Sequence, residues 1–161
     1  LSERIVATND MAAAVRDASL IFVAVPSSSF RQVVRDMVPH ISSEAVLIST
    51  TKGIESGSFD LMSQILNQEA PNARVGVLSG PNLAIEIAKK DLTGSVIASP
   101  DEGVRELVKN ALKSKYFRVY ANDDMFGVEL GGSLKNIYAI IAGVAAALVP
   151  VLFSVVPVAP L

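Results

Sequence analysis

The amino-acid sequence predicts an α/β fold, a doubly wound parallel sheet with helices on both faces. Two observations carry this reading. Short β-branched runs alternate with amphipathic stretches along most of the chain, and LIFVAV (20–25) is a continuous apolar run of the kind found in a sheet covered on both faces, with AVLIS (45–49) and RVGVL (74–78) the strands that follow. A third observation concerns function: each of these runs leads directly into a polar loop, and in an open α/β sheet ligands collect where loops leave the carboxyl ends of the strands.

Taken in order, Ile5–Ala7 is a brief strand candidate and Asp10–Arg16 a short helix. Pro26 ends the LIFVAV strand, and Ser28 or Ser29 can cap a helix carrying Phe30, Val33, Val34 and Met37. The strand Ala45–Ser49 is followed by a loop, Thr50–Gly57, and then by a helix over Phe59–Gln68. Strand Arg74–Leu78, helix Asn82–Lys89, strand Ser95–Ala98, helix Asp101–Lys113 and strand Phe117–Tyr120 complete the series. Repeats of this length imply parallel pairing through right-handed crossovers.

The stretch GVELGGSLKN (127–136) stands apart. Asp123 and Asp124 are good caps, and Val128, Leu130, Leu134, Ile137, Tyr138 and Ile141 recur at helical spacing, so a helix starts near Asp124. Gly131 and Gly132 fall in its interior, where each costs about 1 kcal/mol relative to alanine, which is more easily understood if something approaches the backbone closely. Glu129 and Asn136 share a face with Gly132 and Ser133 between them, and Lys135 lies one turn beyond the glycines. Two readings of Lys135 stand at this point: a desolvated lysine with a depressed pKa, suited to moving protons, or a lysine whose stem snorkels to the surface.

Half of the residues are hydrophobic and the formal net charge is −2, so the chain can bury a core and offers no basic face to nucleic acid. Without cysteine there is no thiolate metal site, and the lone His40, in a VPHISS context, reads as a surface residue; no metal is expected. The chain opens without Met and without a secretory pattern, and a cytoplasmic location is expected. From Ile137 to Leu161 no residue is charged, a length sufficient to cross a bilayer. Pro150, Pro157 and Pro160 and the lack of a following Lys or Arg argue against a span, so a membrane partner is not expected.

Three loops qualify for ligand binding: Pro26–Ser29, Thr50–Gly53 and Ser79–Asn82. Lys52 would point its ammonium into the crevice between them, where it could hold a phosphate, and Gly80 and Asn82 would open a helix whose free N–H groups suit an oxygen.

The stretches DASLIFVAVPS, STTKGIESG, LSGPNLAIEIA and GVELGGSLKN, in this order between Asp17 and Gly143, resemble the NAD(P)-dependent glycerol-3-phosphate dehydrogenases of the bacterial type. The resemblance implies an incomplete Rossmann-like sheet over residues 1–121, followed over 122–161 by the first helix of an all-α C-terminal domain with an atypical apolar tail from about 145. It implies reversible reduction of dihydroxyacetone phosphate to glycerol 3-phosphate, feeding glycerophospholipid synthesis, with NAD or NADP as cofactor and a possible homodimer. Carried over by position, Lys135 matches the catalytic lysine and Asn136 its neighbour beside the substrate. Lys52 matches a contact to cofactor and substrate, Gly80 and Asn82 line the substrate, Ala84 touches the cofactor, and Pro26 and Ser29 border the nicotinamide. The family usually has Ser or Thr where this chain has Asn82, its G-x-G-x-x-G turn does not occur here, and the stretch after Gly143 does not look like the family's continuation. The alternatives are a related ketopantoate or hydroxyacid reductase, or a truncated non-catalytic α/β module.

Overall fold

In a computed structural model the described residues are 3–155, with side chains left undescribed at 136 and 149–155. The tail prolines Pro157 and Pro160 lie outside them. Five strands form one sheet in the order β1-β2-β3-β4-β5: β1 (Leu20–Val23), β2 (Val46–Ser49), β3 (Arg74–Ser79), β4 (Thr93–Ala98) and β5 (Phe117–Asn122). The helices are α1 (Met11–Val15), α2 (Ser27–Met37), α3 (Met62–Glu69), α4 (Ala84–Lys89), α5 (Glu102–Leu112) and α6 (Met125–Val155).

Strand β2 is buried on both faces, while β1 and β3 are buried only in part, Phe22 of β1 being exposed. Leu47 packs with Phe30, Val34, Met62, Ile65 and Leu66 of α2 and α3 on one face, whereas Val46 and Ile48 pack with Val104 and Val108 of α5 on the other. That arrangement is the expected doubly wound, Rossmann-like α/β architecture. Pairing is parallel in β1–β2, β2–β3 and β4–β5.

The expectation of an all-parallel sheet fails at one place, since β4 runs antiparallel to β3, with Val77 opposite Ala98. The thirteen residues between these strands hold only a six-residue helix, α4, too short to carry the chain back along a strand of the same length. The chain therefore re-enters the sheet from the edge where it left.

Ile5–Ala7 is not a strand; Ile5 and Val6 are exposed and the segment pairs with nothing in the sheet, so it gains no ladder bonds to hold it extended. The helix expected from Phe59 begins at Met62, because Phe59 sits at φ 62° in a turn closed by an antiparallel bridge between Ile54 and Leu61. Ser28 and Ser29 do not cap α2: the cap position is Pro26, and the Ser29 hydroxyl donates back to the Pro26 carbonyl at 3.1 Å. Nor does Asn82 open α4, which starts at Ala84 after a Leu83 cap. His40, as expected, is exposed.

Helix α6 starts where the aspartates predict. The Asp124 carboxylate accepts from the Gly127 amide at 2.8 Å, satisfying one of the free N–H groups of the first turn. Its inner face packs on β3, α3 and β4, while Ile137, Tyr138, Ile140, Ile141, Val144 and Leu148 are exposed. By length and composition alone, residues Met125–Leu148 could cross a membrane.

Candidate active site

Because β1, β2 and β3 are parallel, their carboxyl ends share one edge, and the three polar loops meet there. Hydrogen bonds from side chains to the strand ends bind the first two loops together. The Thr50 hydroxyl donates to the Val23 carbonyl at 3.1 Å and the Thr51 hydroxyl to the Val25 carbonyl at 2.8 Å. Gly53 has φ 140°, and a Cβ there would lie 2.9 Å from Ser27, so this contact requires glycine. Between the second and third loops the link is Lys52, whose ammonium donates to the Gly80 carbonyl at 3.2 Å.

Helix α6 closes the fourth side. A Cβ on Gly132 would run into the Ser79 hydroxyl at the end of β3, so the close approach inferred from this glycine is real. In front of Gly131 there is open space, and that half of the expectation is not met. The Ser133 hydroxyl accepts from the Gly53 amide at 3.1 Å, holding the Lys52 loop against the helix.

The result is a cleft of about 290 Å³ lined by Lys52, Ser79, Gly80, Pro81, Val96, Gly127, Val128, Gly131, Gly132 and Lys135. Its only ionisable lining residues are the two lysines, so its field is positive and suits a phosphate or an oxygen that gains negative charge. A larger cavity of about 440 Å³, walled by Phe22, Leu78, Ile87, Leu112 and Phe117 with Thr50 and Ser114, has no ionisable lining group. Among the described residues no group of three or more acidic or histidine side chains could hold a metal.

Three of the expected site residues, Lys52, Gly80 and Lys135, therefore share one cleft. Lys135 is exposed, however, which corrects the reading of it as a buried, desolvated lysine. On α6 it sits one turn beyond Gly132, with which it lines the open cleft, and away from the packed side chain of Ser133.

Asn82, Ala84, Pro26 and Ser29 do not line the cleft. The Asn82 amide donates to the Ser95 hydroxyl on β4, so its side chain braces the turn that presents Gly80, while its carbonyl oxygen is buried without a partner. Ala84 and Pro26 are exposed and Ser29 is half-buried, each at the mouth of a helix on the same sheet edge. Asn136 lies in α6, its side chain outside the described residues.

Sequence reasoning placed Glu129 on the polar stripe but gave it no partner. In the structure its carboxylate is buried and accepts from the Ser63 amide at 3.1 Å and from the Ser63 hydroxyl, at the start of α3. Burial pushes its pKa up, while the hydrogen bonds from Ser63 and the Met62 backbone oppose the shift. A second charged group lies behind the Lys52 loop. Arg31 of α2 donates to Glu55 at 2.6 Å, to Asp60 at 3.0 Å and to Glu69 at 2.6 Å, tying the loop to α2 and α3. Its hydrogen bond, followed by one from Ser58, holds the Glu55 carboxyl down at about 2.

Residues 1–105 match the family model described as the NAD-dependent glycerol-3-phosphate dehydrogenase N-terminus. The chain belongs to this family. Among curated proteins, a glycerol-3-phosphate dehydrogenase (NAD(P)+) of Teredinibacter turnerae is 55% identical over 148 residues, 92% of this chain and 44% of the relative. One of the same name from Azotobacter vinelandii is 58% identical over 139 residues, 86% of this chain and 41% of the relative. The crystal structure of a glycerol-3-phosphate dehydrogenase from Coxiella burnetii superposes with a TM-score of 0.78 at 36% identity, covering 85% of this chain and 42% of that one. The chain thus spans less than half the length of the curated relatives it matches.

Proposed function

We propose that this chain supplies the sheet edge and the lysine-bearing helix of a dehydrogenase that interconverts dihydroxyacetone phosphate and glycerol 3-phosphate with NAD(P)H. The observation that carries the proposal is the cleft itself, which brings Lys52, Gly80 and Lys135 together from three separate segments. Family membership and the printed names of the relatives support it.

In this reading residues 1–121 belong to the nucleotide-binding part and residues 122–161 begin a helical domain that would cover the exposed apolar face of α6. The nicotinamide cofactor, NAD or NADP, supplies the hydride. Lys52, Ala84, Pro26 and Ser29 would hold its reactive end along the sheet edge, and Gly131 leaves space at the cleft that a Cβ would take. As a hydride adds to the substrate carbonyl carbon, the C=O electron pair moves onto oxygen, and the Lys135 ammonium stabilises that charge and gives up a proton to it. In the reverse direction the neutral Lys135 amine takes the hydroxyl proton. Lys52, held by the Gly80 carbonyl, offers the phosphate a fixed point charge. Asn82 acts one step back, through the Gly80 turn, and Asn136 beside Lys135 is assigned to the substrate.

The test is Lys135→Ala in the protein at its native length. Loss of a general acid lowers turnover of dihydroxyacetone phosphate by about 10²–10⁴-fold, with cofactor affinity unchanged. Wild-type turnover in the variant would refute the assignment.

A further inference from the structure

The loop that carries Lys52 is long, running from Thr50 to Leu61, and apart from the Ile54–Leu61 bridge it contains no regular element. Such a segment does not hold a side chain in place unaided. Its two ends, however, are both bonded to the same face of α6. At the start, the Gly53 amide donates to the Ser133 hydroxyl at 3.1 Å. Just past its far end, in the first turn of α3, the Ser63 amide and hydroxyl donate to the Glu129 carboxylate, joined by the Met62 amide.

Glu129 and Ser133 are four residues apart and so lie one above the other on the helix, two residues before Lys135 in the second case. A carboxylate is a costly group to bury, and Glu129 is 3% exposed. Among the described residues its partners are all neutral donors, two of them free N–H groups at the amino end of α3, where a negative charge is favoured. No ion pair among the described residues requires it to be there. What the contact achieves is mechanical: it sets the height and rotation of α6 against the loop.

We propose that Glu129 is a positioning residue, which with Ser133 staples the Lys52 loop to α6 at both ends and thereby fixes the separation of Lys52 and Lys135 across the cleft. Lys52 touches the Gly80 carbonyl and Lys135 rides on the stapled helix, so opening the staple loosens the position of one lysine relative to the other. The catalytic consequence rests on the reductase reading of the cleft; the geometric consequence does not.

Two measurements separate them. A short amine-reactive cross-linker, read by mass spectrometry in the protein at its native length, should join Lys52 to Lys135. In Glu129→Ala the yield should fall about tenfold against the Lys109–Lys113 pair at the end of α5, because the staple's hydrogen bonds are lost. Glu129→Gln keeps the shape but presents an amide to N–H donors, and should give an intermediate yield if the alanine variant does not fold. In turnover, Glu129→Ala should lower kcat with KM for the cofactor unchanged, at a temperature where the variant is folded. If Lys135→Ala keeps full turnover, the reductase reading fails while the cross-linking result still decides the staple. Wild-type cross-linking in both Glu129 variants, or no Lys52–Lys135 product even in the unsubstituted protein, overturns the proposal.

Discussion

The two adjacent glycines of α6 should respond differently to the same substitution. In a helix interior, glycine to alanine stabilises by about 1 kcal/mol, because alanine loses less backbone entropy on folding. A Cβ on Gly131 meets nothing within 4 Å, so Gly131→Ala should realise the whole gain. For a domain of this size that raises Tm by about 2–4 °C. At Gly132 the new methyl strikes the Ser79 hydroxyl, while the Ser79 Cβ, at 3.5 Å, is in ordinary contact. Only the hydroxyl has to turn away. Forcing it off its preferred rotamer costs about 0.5–1.5 kcal/mol, which offsets the helical gain and leaves Gly132→Ala close to neutral. Ser79 lines the cleft, so the second variant should also weaken ligand binding while the first does not displace that hydroxyl. Urea denaturation of both variants, followed by far-UV circular dichroism, gives the two midpoints. Equal stabilisation by both would show that α6 does not approach β3 through Gly132, and the site geometry built on that contact would fall.

Two further tests concern the charges around the loop. Arg31→Ala strips the guanidinium shared by Glu55, Asp60 and Glu69 and leaves only Glu69 with another, Arg35; limited proteolysis near the exposed Phe59 should speed up severalfold, and unchanged cleavage would deny Arg31 its role in holding the loop. The pH dependence of the denaturation midpoint should have limbs of opposite sign. Glu55 and Asp101, each held at about 2, stabilise the fold above their ordinary values of 4.5 and 3.8, and this is lost as pH falls through about 2. Glu129 is raised, so its contribution is complete below 4.5 and is lost as pH rises through its folded value. Glu55→Gln should flatten the acid limb and Glu129→Gln the decline above pH 4.5; variants with wild-type slopes would contradict the assignments.

Much of the fold was legible because its signals are local. AVLIS is apolar at its first four positions, as a strand covered on both faces requires, and Val46 to Ser49 are indeed buried throughout. Asp124 announces the start of α6 through bonds to residues within its own first turn. The strand-then-polar-loop pattern located the edge where Lys52 and Gly80 lie, and the GGSLKN stretch placed Lys135 beside them.

What the sequence could not decide depended on partners distant along the chain. The direction of β4 follows from how far α4 can carry the chain relative to the strand beside it, a length balance that hydropathy does not encode. Asn82 turns to Ser95 on a neighbouring strand instead of into the cleft, and the exposure of Lys135 depends on which face of α6 finds the sheet. Glu129 is the clearest case. Its periodic position told that one face of α6 was polar, but its partner, Ser63, lies sixty-six residues earlier, and only folding brings the two together. A periodic pattern reports that a face is buried; what it is buried against is settled by the packing of the whole chain.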